Sequence, residues 1–106
     1  MLSMKTITSS QRKQLTKASQ SLNPIVQIGQ NGVTDAVLAK IEASLASHEL
    51  LKVKYLEFKD EKQDLSEQIA VQCNAVLVRI IGNIALFYRP AEKEEDRAYG
   101  IIPQEN

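Results

Sequence analysis

Gly29-Gln30-Asn31-Gly32 is the segment whose residue types and spacing are best suited to chemistry, and that chemistry is the holding of a phosphate. The apolar run Ile25-Val26-Gln27-Ile28 precedes it, and Val33-Thr34-Asp35 opens a periodic segment directly after it. A strand that stops at a Gly-x-x-Gly turn and restarts as a helix leaves unpaired backbone N–H groups at the helix N-terminus, where an anion is favoured. Two flanking residues without Cβ let such an anion come close to the backbone. With glycine at about 7% of residues, chance supplies roughly one such spacing in every two chains of this length. A plain structural turn is therefore the competing explanation, and the surroundings of the motif must decide.

Other chemistries have little material. His48 is the only histidine and Cys73 the only cysteine, so neither a His/Cys metal cluster nor an internal disulfide can be assembled. A Ser-His-acid triad would have to use His48, which sits beside Glu49 with no nucleophile-elbow pattern near it. Glu57, Asp60, Glu61, Asp64 and Glu67 belong to one charged run, the usual pattern of a solvated surface rather than an acid–base pair. The Walker-type and dinucleotide-binding glycine loops are both absent. No catalytic residue, metal or cofactor is expected, and the chain reads as a non-enzyme.

A chain of 106 residues with 43% hydrophobic and 25% charged residues has the composition of one ordinary globular domain. Its longest apolar run, Ile84-Ala85-Leu86-Phe87-Tyr88, is too short to span a bilayer. Met1 to Ser10 lacks the apolar stretch of an export signal, and one cysteine suits a reducing compartment. A cytoplasmic protein with no membrane partner is expected. The formal net charge of zero hides an uneven distribution. Residues 1–54 carry seven basic side chains (Lys5, Arg12, Lys13, Lys17, Lys40, Lys52, Lys54) against three acids (Asp35, Glu42, Glu49). Residues 92–106 reverse the balance, with Lys93 and Arg97 against Glu92, Glu94, Glu95, Asp96 and Glu105. Binding responds to the local field, so the basic half can meet an anion despite overall neutrality.

The elements that must position these groups follow the order α-β-α-β-α-β-β. Thr8-Ser9-Ser10-Gln11 fits a capping box and starts a helix to about Ser21, burying Leu15, Ala18, Ser19 and Leu22. Arg12, Lys13 and Lys17 then stay in solvent, and Asn23-Pro24 ends the helix. After the first strand and the glycine turn, Thr34 is a good N-cap for a helix with the stripe Val37, Leu38, Ile41 and Leu45, ending near Ser47. Leu50 to Leu56 alternates as a strand, with Leu51, Val53 and Tyr55 on one face and Lys52 and Lys54 on the other. Phe58 to Asp64 is a charged connection, in which Asp60 or Asp64 is the candidate cap of a third helix carrying Leu65 and Ile69. Ala75 to Ile81 and Ile84 to Arg89 read as a hairpin around Gly82-Asn83. The fold class expected is α/β, a two-layer or three-layer sandwich on a four-stranded mixed sheet, with the GxxG loop between the first strand and the second helix. Residues 1–90 form one domain, and 91–106 read as an acidic, loosely ordered tail.

Several spaced segments also resemble a known family. Thr8 to Leu15, Leu22 to Gly29, Gly32-Val33-Thr34, His48 to Val53, and Ile81-Gly82 with Leu86-Phe87-Tyr88-Arg89 occur in the order seen in the CRM (chloroplast RNA splicing and ribosome maturation) domain. The chain is most similar to the standalone bacterial YhbY-like proteins, over about residues 6–90. The resemblance implies an RNA-binding domain with the same element order, similar in outline to the C-terminal domain of a translation initiation factor. Bacterial members are associated with precursors of the large ribosomal subunit, and plant relatives with organellar intron splicing. The family's loop maps onto Gly29, Gln30, Asn31 and Gly32. Many members carry a basic residue in or beside it, whereas this chain has Gln30 and Asn31, so backbone N–H groups and amide side chains are expected to act there.

The expected partner is thus RNA, specifically ribosomal RNA in precursor large subunits, bound by a monomer that takes no small-molecule substrate and assists ribosome assembly. Gly29, Gln30, Asn31, Gly32 and Thr34 would hold the phosphate, with Arg12, Lys13, Lys17, Lys40, Lys52, Lys54 and Arg89 supplying the field. Tyr55, Phe58, Phe87, Tyr88 and Tyr99 are the only aromatics, most of them in strands where burial is expected. Recognition by backbone and shape follows, with little base stacking. The alternative is a protein–protein adaptor that docks on a ribosomal protein or assembly factor through the exposed sheet or the acidic tail.

Overall fold

Thr8 starts the first helix by a reciprocal cap in the computed structural model, which describes residues 5–105. Its Oγ1 accepts a 3.1 Å hydrogen bond from Gln11 N, while Gln11 Oε1 accepts one of 2.9 Å from Thr8 N. The helix it opens, α1 (Ser9–Ser19), follows a two-residue strand, β1 (Lys5–Thr6). Then come β2 (Val26–Ile28), α2 (Asp35–His48) and β3 (Leu50–Tyr55). A 3₁₀ turn at Lys59–Glu61 leads into α3 (Lys62–Gln72), followed by the hairpin strands β4 (Val76–Ile81) and β5 (Ile84–Tyr88). A second 3₁₀ turn (Glu94–Asp96) and β6 (Gln104–Glu105) close the described chain.

Four strands form one mixed sheet in the order β2-β3-β5-β4. β2 and β3 are parallel, joined through α2, and β5 pairs antiparallel with both β3 and β4. Strand parity sorts the side chains between two cores. On one face Val26, Ile28, Leu51, Val53, Tyr55, Ala85 and Phe87 pack against Ile41 and Leu45 of α2 and Ile69, Ala70 and Cys73 of α3. The buried Tyr55 hydroxyl is satisfied there by Ser66 Oγ at 2.8 Å. On the other face Leu50, Val76, Val78, Leu86 and Tyr88 pack against Leu15 of α1 and Ile101. The expected α/β sandwich is thus a three-layer one.

Two expectations are corrected. Neither Asp60 nor Asp64 caps the third helix, because the 3₁₀ turn feeds it and its N-cap, Glu61, makes no side-chain bond. The segment after Pro90 is not loose in its described part. Ile101 is only 3% exposed and Tyr99 packs beside it, so the chain crosses the α1 side of the sheet before β6 pairs with β1. Asn106 lies outside the described residues.

Candidate nucleic-acid interface

The turn after β2 closes on itself, because Gly32 N donates to Gly29 O at 3.0 Å and leaves Gln30 and Asn31 exposed at the tip. Gly32 has φ +73, a left-handed value that favours glycine, and the Phe58 ring lies against its Cα. Gly29 has no such requirement, and a Cβ built on it meets nothing within 4 Å. Thr34 then caps α2, its Oγ1 accepting from Val37 N at 3.1 Å. The remaining N–H groups of the first helical turn open beside the glycine turn. Asp35 stands in that first turn, so its carboxylate tempers the attraction for a phosphate and nearby cations must add to the field.

Strand register decides which cations are near. Ile28 pairs with Tyr55, and Tyr55 N donates to Asn83 O at 2.8 Å, so the glycine turn, the connection after β3 and the β4–β5 hairpin share one end of the sheet. Just inside this end, Gln27, Lys54, Ile84 and Ile81 form a row across the four strands. The row faces the α1 side, since Lys54 alternates with Leu50 and Lys52, and α1 does not cover it. Gln27 and Lys54 are exposed, and Ile81 is 52% exposed. A register shift between Leu77 and Arg79 sets Arg79 opposite Leu86 on the same side, also exposed.

The remaining cations fall into three groups. Arg12, Lys13 and Lys17 lie on α1 above the same face of the sheet, with Arg12 Nε donating to Val78 O at 2.8 Å. Lys52 lies on that face too, but its Nζ donates to Leu22 O at 2.9 Å, which fixes the chain between α1 and β2. Lys40 projects from the solvent side of α2, in the opposite layer. Arg89 follows β5 at the far end of the sheet, where its Nη1 pairs with Glu42 at 2.6 Å and donates to Cys73 O at 2.9 Å. The structure therefore brings together the turn, Thr34 and Lys54, extends the basic face over α1, and separates Lys40 and Arg89 from it. Phe58 and Lys59 beside the turn, Lys62 bonded to the β4–β5 hairpin and Arg79 on the edge strand β4 were not among the residues expected to touch RNA. Arg79 carried only its charge as a signal, because its exposure depends on the register shift.

The far end has its own chemistry. Burial raises the Cys73 thiol pKa, with the Glu42 charge adding to the shift and Arg89 opposing it, so Cys73 is an inert buried thiol. Among the described residues no group of three or more His, Cys, Asp or Glu side chains is placed to hold a metal. Among them, too, no helix is long and apolar enough to cross a membrane.

The family pattern of the CRS1/YhbY (CRM) domain matches residues 7–89, from just before the capping box to the end of β5. The chain belongs to the CRM domain family. An RNA-binding protein of Haemophilus influenzae is 40% identical to this CRM protein over 91 residues, covering 85% of this chain and 92% of the relative. A protein of Pseudomonas aeruginosa named as a probable RNA-binding protein is 38% identical, covering 82% of this chain and 85% of its own. The solution structure of the Staphylococcus aureus protein SAV1595 superposes with a TM-score of 0.75 at 27% identity, covering 89% of this chain and 99% of that one. The fold is therefore shared with the Staphylococcus aureus protein. The packed segment beyond residue 89 lies outside the family pattern.

Proposed function

We propose that this CRM domain binds RNA without catalysing a reaction, using the Gly29–Gly32 turn, the opening of α2 and the basic face made by α1, Lys54 and Arg79. The observation that carries the reading is the juxtaposition of an open glycine turn and a capped helix N-terminus with an uncovered, lysine-bearing row of the sheet. Similarity to RNA-binding relatives over most of both chains supports the same reading. Backbone N–H groups and amides at the turn position a phosphate, and the neighbouring cations supply the attraction. The RNA proposed is structured ribosomal RNA in precursors of the large subunit, met in the cytoplasm by a monomer that assists assembly. This target rests on the family's association and on a surface suited to backbone and shape.

Salt dependence tests the reading. Three to five phosphate contacts give a slope of log affinity against log salt of roughly −2 to −4. A salt-insensitive association with ribosomal RNA overturns the electrostatic interface. An association with pre-ribosomal particles that survives nuclease digestion favours docking on a protein instead.

A further inference from the structure

Phe58 follows β3 in a left-handed backbone conformation and covers Gly32, yet 40% of it remains exposed. A Cβ placed on Gly32 would lie 3.5 Å from Phe58 Cε2, so the ring stands directly beside the turn proposed to hold a phosphate. It lines an open cavity of about 670 Å³ together with Gln30, Leu56, Glu57, Lys59, Asp60 and Glu61. The apolar part of this cavity is not closed by any element of the fold, since Leu56 is exposed as well.

We propose that this cavity takes an unpaired guanine base of the bound RNA, stacked on Phe58, while the adjoining phosphate lies on the Gly29–Gly32 turn. The proposal rests on the RNA-binding reading and adds a base-reading subsite to it. Glu57, Asp60 and Glu61 outnumber Lys59 at the rim, so its net negative charge disfavours a phosphate inside the cavity and favours a neutral base there. A base has no charge and offers its edge. Carboxylates accept hydrogen bonds only, which selects bases that present N–H donors. Guanine presents two adjacent donors, N1–H and N2–H₂, in the spacing of the two oxygens of one carboxylate. Uracil presents a single N–H between two carbonyl oxygens, so it offers a carboxylate one donor where guanine offers two. The exposed Phe58 face supplies stacking, which Tyr55, Phe87 and Tyr88 cannot provide because they are fully buried. Gln30 lines the cavity and also sits at the tip of the phosphate turn, so one nucleotide can touch both.

The protein contains no tryptophan, which makes Phe58→Trp a single fluorescent reporter. Its emission is to be followed while the full chain is titrated with a short oligouridylate, with the same oligomer bearing a central guanosine, and with the inosine version lacking the N2 amino group. The expected result is quenching by the guanosine oligomer and affinity about fivefold or more above that of oligouridylate, with inosine in between. Phe58→Leu keeps an apolar cover on Gly32 and should abolish the preference while binding a fully paired RNA duplex like the wild type. A wild-type preference retained in Phe58→Leu, or an indole signal unchanged at saturation, overturns the stacking subsite and leaves RNA binding standing. Equal or greater preference for a central adenosine or cytidine overturns the guanine assignment. Failure of the wild-type protein to bind these oligomers while it binds ribosomal RNA overturns the subsite alone, and failure to bind ribosomal RNA as well removes the RNA-binding reading with it.

Discussion

Glu49 Oε1 accepts a 2.8 Å hydrogen bond from Ala98 N, tying the residue that ends α2 to the segment that follows the family-like domain. Glu49 caps the helix at φ +63 and is only 5% exposed, and no described group bonds its Oε2. Its charge is thus committed to holding the strap that carries Tyr99 and Ile101 across the sheet. Glu49→Ala should cost about 1 kcal/mol in urea unfolding through the missing hydrogen bond, and Glu49→Gln, which keeps an acceptor, should cost less. Ile101→Ala should cost more, about 2–5 kcal/mol, because it opens a cavity in the core on the α1 face. If Ile101→Ala unfolds at the wild-type urea midpoint, the strap does not stabilise the domain.

Tyr88 makes the strap sensitive to alkali. Its hydroxyl donates to Ile101 O at 2.8 Å, and its ring meets Tyr99 edge-on with centroids 6.0 Å apart. Burial pushes its pKa up from 10.0 to about 12, with the charge of Glu49 adding to the shift. The neutral phenol is favoured in the folded state, so this contribution is fully present below pH 10 and is lost as pH rises towards 12. Thermal unfolding measured from pH 9 upward should show stability falling across that window. Tyr88→Phe should be less stable at neutral pH and should show a shallower fall, since the titrating group is gone.

What could be read in the residues was what depends on near neighbours. Thr8 and Thr34 cap their helices through bonds spanning three residues, so their roles follow from local spacing. Alternation in Leu50–Tyr55 likewise separated Lys52 and Lys54 from the core residues between them. The strap was hidden because Tyr99, Ile101 and Pro103 sit in an irregular segment behind an acidic run, and their burial depends on partners far back in the chain. Arg89 reads as a free cation in the sequence, since its ion-pair partner Glu42 lies 47 residues away. Phe58 opens a charged connection in the sequence, and only its left-handed backbone just beyond β3 turns it towards the glycine turn.

The two glycines of the turn should separate by experiment, although one motif contains both. Gly29 has room for a Cβ and no left-handed requirement, so Gly29→Ala should leave stability within about 0.5 kcal/mol. Any drop in RNA affinity in that variant then reports a close approach of the ligand to the backbone. Gly32→Ala imposes a side chain at φ +73 and should cost about 1–2 kcal/mol even without RNA. Thermal melts and RNA titrations of both variants check this. Unchanged affinity in a folded Gly29→Ala takes that glycine out of the interface.

Position along the sheet, more than charge, should determine which cations matter. Lys54 and Arg79 are exposed on the α1 side of the sheet, and Lys54 stands in the uncovered row nearest the turn. Replacing either with alanine should weaken RNA binding and reduce the salt slope by about 1 for each phosphate that is no longer neutralised. Lys40→Ala, in the opposite layer, should change neither RNA affinity nor slope. Arg89→Ala should act on the fold instead, costing about 1 kcal/mol, since it removes the partly exposed pair with Glu42 and the bond to Cys73 O. Paired measurements of unfolding midpoint and salt-dependent affinity distinguish these effects. A salt slope reduced by Arg89→Ala but untouched by Lys54→Ala would move the interface to the far end of the sheet, away from the glycine turn.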